Sequence, residues 1–182
     1  MTFSWKEART AELVFNAVKS GFRFIDTACQ PKHYNEAGVG QGWTAAAQEL
    51  GLDRSDFFLQ TKYTPFPGQD PNRVPYDPHD SLPDQVKTSL QVSLKNLQTP
   101  YLDSLVLHSP LPSLEETLTV WNTMESFVDE GKVKQLGISN CYDFELFQAL
   151  YNQARIKPKV LQNRYVRFLV TKESSKVLET IC

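Results

Sequence analysis

Cysteine is scarce in this chain. Cys29, Cys141 and Cys182 are all that 182 residues contain, an odd number with no paired or metal-ligand spacing. Such an odd, sparse count fits a reducing compartment better than a disulfide scaffold, and the cytoplasm is the expected location. The three histidines, His33, His79 and His108, include no H-x-H or similar pair, and adding Cys29 and Asp26 does not make a metal site. No metal is expected. No apolar run approaches the roughly 18 residues of a membrane span. The opening MTFSWKEART lacks the apolar core of a secretory leader. Neither charge dominates: the net charge of -2 gives no support for a nucleic-acid or anionic-membrane partner.

What is present is a repeating alternation. The length suits one domain with a substantial core, assigned to residues 1–182. Residues 6–19 carry Ala11, Leu13, Val14, Ala17 and Val18 at helical spacing, and Gly21 is a fitting stop. FRFID, residues 22–26, then reads as a short strand. Asn35 is placed to cap a helix that runs to Leu50, before Gly51. DFFLQTK (56–62) is a second strand, and Ser81 with Asp84 begins a helix with a capping-box pattern. YLDSLVLH (101–108) is the third strand. Ser113 with Glu116 repeats the cap, for a helix reaching Glu130 and stopped by Gly131. KVKQLGIS (132–139), DFELFQALYNQA (143–154) and KPKVLQN (157–163) follow as strand, helix and strand, and the tail from Thr171 reads as a sixth helix. The class is α/β with about five parallel strands.

Residues 63–80, YTPFPGQDPNRVPYDPHD, interrupt the pattern with five prolines and exclude regular structure through most of their length. A loop that long in a compact domain is usually functional or disordered. Because it follows a strand it falls on the ligand-binding face of an α/β protein, so Phe66 and Tyr76 are candidate lining. GVGQGW, by contrast, lies at a helix start and not directly after a strand. It reads better as helix packing than as a phosphate loop.

Each apolar run ends on polar residues: Asp26, Lys62, His108, Ser139 with Asn140, and Gln162 with Asn163. The C-terminal ends of parallel strands converge on one face, where α/β proteins place their chemistry. A single such residue is unremarkable, because every strand must end. An acid, a lysine and a histidine on successive strands are a constellation. Tyr34 follows Asp26 by a short loop. A phenol is a poor acid, with an ordinary pKa of about 10, and a neighbouring ammonium is expected to lower it. A carboxylate would hold that ammonium in place, and a histidine could orient a substrate carbonyl. Such a group suits protonation of an oxygen while hydride arrives at carbon.

GFRFIDTA followed by HYNEAGVG, then FFLQTK, LVLHSP, GISN and VLQN, resembles the successive signatures of the aldo-keto reductases, in order, over nearly the whole chain. The proline-rich text PFPGQDPNRVPYDP looks most like fungal members. The resemblance implies a (β/α)8 TIM barrel and NADPH- or NADH-dependent reduction of aldehydes or ketones. It further implies Tyr34 as general acid, Lys62 and Asp26 as its tuning pair, and His108 as the carbonyl-orienting group. Ser139, Asn140 and Gln162, with Asp26, match cofactor-binding positions, the first three at the nicotinamide carboxamide. A complete barrel takes about 250 residues. The family pattern would place one more strand before residue 6 and two after the fifth, so an incomplete barrel with weakened cofactor binding is expected. Its two outer strands would be open edges that favour self-association. Two other functions remain open: a non-redox acid–base enzyme (isomerase, dehydratase or cyclase) reusing the site, and a non-catalytic half-barrel subunit or fragment.

Overall fold

The computed structural model describes residues 9–164. The expected helix from Thr171 lies outside them. The elements alternate as α1 (Thr10–Lys19), β1 (Phe24–Asp26), α2 (Glu36–Leu50), β2 (Phe58–Tyr63), α3 (Leu82–Asn96), β3 (Leu102–Leu107), α4 (Leu114–Asp129), β4 (Val133–Ser139), α5 (Phe144–Gln153) and β5 (Val160–Gln162). Local chemistry sets the helix ends. The Asn35 side chain accepts from the Gly38 N–H at 2.9 Å and starts α2. Ser113 and Glu116 exchange bonds of 3.1 Å in a complete capping box at α4. At α3 the Asp84 carboxylate takes the Ser81 hydroxyl (2.6 Å), so only the Ser81 half of the expected box caps the helix. Gly51 and Gly131 follow α2 and α4 at φ of 65° and 71°, the left-handed turn that ends a helix without a Cβ clash.

All neighbouring strands pair in parallel, in the order β1-β2-β3-β4-β5. Right-handed crossovers between adjacent parallel strands put every connecting helix on one face. Strand alternation then divides the side chains. Leu59, Leu105, Leu107, Leu136 and Ile138 enter the helix-covered core with Val14, Trp121, Met124 and Leu150. Asp26, Gln60, Lys62, Ser104 and Gln162 share the opposite face by register. The glycines of α2 pack helix on helix, as read from the sequence: a Cβ on Gly40 would lie 2.0 Å from the Asn96 carbonyl oxygen, and one on Gly42 2.5 Å from that of Ala11.

The sheet is strongly curled. Gln162 on β5 donates to Asp26 on β1 across 3.0 Å. Four strand spacings would separate them by about 19 Å in a flat sheet. The backbone edges of β1 and β5 carry no further strand among the described residues, but their side chains meet across the hollow. This incomplete (β/α) barrel matches the expected fold class.

Candidate active site

Asp26 ends β1 and Lys62 lies near the end of β2, on the same face. The ammonium donates to Asp26 Oδ1 at 2.6 Å and to the Thr27 carbonyl at 2.8 Å. The two side chains are 3% and 1% exposed, a fully enclosed ion pair. Gln60 adds a 3.0 Å bond to the same carboxylate oxygen. A buried pair of this kind persists only when its remaining hydrogen-bonding capacity is met, and Gln60, Thr27 and Gln162 meet it. His108 sits one residue past β3. Its N–H donates to the Tyr63 carbonyl (2.9 Å) and its carbonyl accepts from Asn140 Nδ2 (2.8 Å), so the backbone is held from both neighbouring strands.

Tyr34 reaches the same place from the β1–α2 loop, whose turn is closed by its N–H to the Gln30 carbonyl at 3.0 Å. Its ring lies edge-on to the His108 imidazole, with centroids 6.0 Å apart, and the Lys62 ammonium is 5.7 Å from its centroid. The structure therefore brings Asp26, Tyr34, Lys62 and His108 together, as the strand ends implied.

The electrostatics differ from expectation. Tyr34 was expected below its ordinary pKa through Lys62. Burial instead raises it, and the negative charge of Asp26 adds to the rise. The Lys62 ammonium is itself engaged by Asp26 and the Thr27 carbonyl, 5.7 Å from the centre of the Tyr34 ring. Lys62 is lowered, with burial outweighing the favourable Asp26 charge. His108 is pushed down to about 4, first by burial and then by the Lys62 charge. At neutral pH the site thus presents a protonated phenol and a neutral imidazole, both potential hydrogen-bond donors.

The three residues assigned to a carboxamide already have partners. Ser139 Oγ donates to the Gln162 carbonyl at 2.6 Å, Asn140 bonds His108 as above, and Gln162 Nε2 is given to Asp26. Gln162 Oε1 is buried without a hydrogen-bond partner. That unmet acceptor, on the face that carries Asp26 and Lys62, fits an incoming amide N–H.

Of the loop residues, Phe66 lines a cavity of about 460 Å³ with Tyr63, Leu82, Leu111 and Glu116. Tyr76 does not fit the role assigned to it. It is 5% exposed, and its hydroxyl donates to the Thr64 carbonyl at 2.8 Å, which makes it a core residue of the loop. Thr64, Gln60 and Glu36 were not singled out from the sequence. Gln60 and Thr64 lie two residues either side of Lys62, so strand alternation was the available signal. Glu36 is a second buried carboxyl, hydrogen-bonded to Thr61 (2.6 Å) and Asn96 (3.1 Å), with its pKa raised by burial. It braces α2 and α3 against the outer side of β2.

A family model described as "Aldo/keto reductase family" matches residues 2–182. The NAD(P)H-dependent D-xylose reductase of Pachysolen tannophilus is 28% identical over 200 residues, covering 96% of this chain and 57% of that protein. The methylglyoxal reductase DkgA of Salmonella typhimurium is 29% identical over 160 residues, covering 87% and 50%. Among solved structures, the aldose reductase of Schistosoma japonicum superposes with a TM-score of 0.76 at 25% identity, over 97% of this chain and 62% of that one. The chain spans about half the length of the curated relatives it matches. Sequence match, strand order and curled sheet agree: the chain belongs to the aldo/keto reductase family.

Proposed function

We propose that residues 1–182, one partial barrel domain, carry the site of an NAD(P)H-dependent carbonyl reductase. The observation that carries this reading is the convergence of the Tyr34 phenol and the His108 imidazole beside the enclosed Lys62–Asp26 pair. The relatives reduce aldehyde-bearing small molecules by their names, D-xylose and methylglyoxal, and an aldehyde or ketone is the substrate class proposed here. Reduced nicotinamide, when bound, supplies the hydride. His108 donates a hydrogen bond to the carbonyl oxygen and orients it. Tyr34 gives its proton to that oxygen as the alcohol forms. Lys62, held by Asp26, offsets the phenolate charge that remains. Gln162 Oε1 and Asn140, with Ser139 and Asp26 beside them, would hold the carboxamide end. Sparse cysteine, with Cys29 and Cys141 buried as free thiols, favours the cytoplasm.

Replacing Tyr34 by Phe removes the proton donor while keeping the ring. NADPH oxidation on a small aldehyde should fall by roughly 10²–10⁴-fold, the range that general acid catalysis supplies. Turnover within a few-fold of the parent would sink the mechanism. A non-redox acid–base enzyme draws support from one feature: Ser139 Oγ and Gln162 Nε2 are already committed within the chain. Titration with NADPH separates the two, since that alternative needs no nucleotide.

A further inference from the structure

His108 has two ring nitrogens, and the neutral imidazole carries a proton on one of them. Nδ1 lies 2.7 Å from Thr64 Oγ1. Nε2 makes no hydrogen bond among the described residues and is the nitrogen left for a substrate. If the proton sat on Nδ1, Nε2 would be an acceptor, unable to donate to a carbonyl. Which tautomer forms therefore decides whether the histidine can orient a substrate at all.

We infer that Thr64 is a positioning residue that fixes His108 in the Nε2–H form by donating its hydroxyl proton to Nδ1. Thr64 is 2% exposed, so water does not supply its hydroxyl with another acceptor. Among the described residues the imidazole nitrogen is the single hydrogen-bond partner of that hydroxyl, and a buried donor left unmet is unfavourable. With Nδ1 accepting, the hydroxyl is satisfied and Nε2 carries the hydrogen. With Nδ1 protonated, the Thr64 proton meets no acceptor among the described residues. The drop of the His108 pKa to about 4 keeps the ring neutral near pH 7, which is the state in which this choice matters.

The proline-rich loop holds Thr64 in place. Its carbonyl accepts from Tyr76 Oη (2.8 Å) and from Gln69 Nε2 (3.1 Å), and that same Gln69 nitrogen also donates to the Cys29 carbonyl at 3.0 Å. Tyr76 and Gln69 are both buried, so the backbone of Thr64 is clamped from two points of the loop and tied to the segment after β1. The long loop thereby gains a task distinct from lining a pocket: it aims one hydroxyl at one ring nitrogen.

The catalytic meaning of this inference rests on the carbonyl-reduction reading, but its test does not. The full 182-residue chain, labelled with ¹⁵N, reports the His108 tautomer directly in long-range nitrogen–proton correlation spectra, with His108→Gln identifying the signals. The parent is expected to show Nε2–H, T64S to keep it, and T64V and T64A to lose the bias toward it. Given the net strength of one neutral hydrogen bond, kcat/KM for an aldehyde should drop about ten-fold in T64V and recover in T64S. Nδ1–H in the parent overturns the inference, and so does an unchanged tautomer in whichever of T64V or T64A folds. Activity retained by Tyr34→Phe would instead remove the reductase reading and leave the tautomer result standing.

Discussion

Lys62 is the residue whose loss should be felt most widely. Its ammonium is enclosed, and removing it strands the Asp26 carboxylate beside the side-chain amides of Gln60 and Gln162. Breaking one half of a buried pair typically costs about 3–5 kcal/mol, whereas replacing both halves by apolar groups is often neutral. Lys62→Met should therefore unfold at much lower urea, and adding Asp26→Leu should restore part of the loss. If the double variant is weaker than the single one, the pair is a net stabiliser here. His108 makes a separate prediction about pH. Its pKa falls from an ordinary 6.5 to about 4 in the folded chain, so between those values the unfolded chain binds more protons. Stability should rise as pH climbs through that window and be lost as pH falls through it, by up to about 3 kcal/mol. Urea midpoints at pH 4.5 and 7 measure the slope, and His108→Gln should flatten it. An equal slope in that variant would assign the effect to other groups.

Among elements, α2 is the one with least tolerance. Gly40 lies against the backbone of α3, and a methyl there would meet the Asn96 carbonyl at 2.0 Å. Gly40→Ala should push α2 from α3 and loosen the Glu36–Asn96 bond, for a loss of about 1–3 kcal/mol or more, although alanine is the better helix former. A thermal midpoint at or above that of the parent would mean the helices can part freely. Ser113→Ala, which removes one complete cap, should cost only about 1 kcal/mol by the same assay. Both features were legible in the sequence: the glycines lay inside a helical pattern, and the cap preceded one. Element order was legible too, because apolar spacing and stop residues repeat. The outer strands proved shorter than their apolar runs, since Phe22 and Arg23 precede the paired residues and only Arg23 contributes a carbonyl, to Phe58. In the site, Asp26, Lys62 and His108 announced themselves as polar residues closing apolar runs. Thr64 did not, because it opens a stretch whose prolines conceal any periodicity. Tyr76 misled for a related reason: an aromatic in a loop looks like lining until its hydroxyl finds the Thr64 carbonyl. The Tyr34 pKa depended on how deeply the phenol is buried and on the Asp26 charge beside it, and no spacing encodes burial.

For the whole molecule the β5 edge matters. Leu161, on that outer strand, is 45% exposed beside backbone with no further strand among the described residues. Such an edge favours pairing with another copy. We expect the chain to self-associate, with sedimentation across a dilution series showing a mass that falls on dilution. Leu161→Lys should shift that equilibrium toward monomer. Val160 is the poorer choice for this test, because it packs on Gly137. A concentration-independent monomer would show that this edge is covered from within. The bond from Gln162 to Asp26 has a bearing on the chain's own history. During synthesis Asp26, Lys62 and His108 emerge well before the residue that completes the Asp26 shell. At the roughly 5–20 residues per second of translation, about 5–20 s separate Lys62 from Gln162. Through that interval the nascent chain has its lysine and its acid but not the amide that bridges the hollow, so that bridge is a late contact. A stalled ribosome–nascent-chain complex ending before β5 would leave Asp26 without its Gln162 bond.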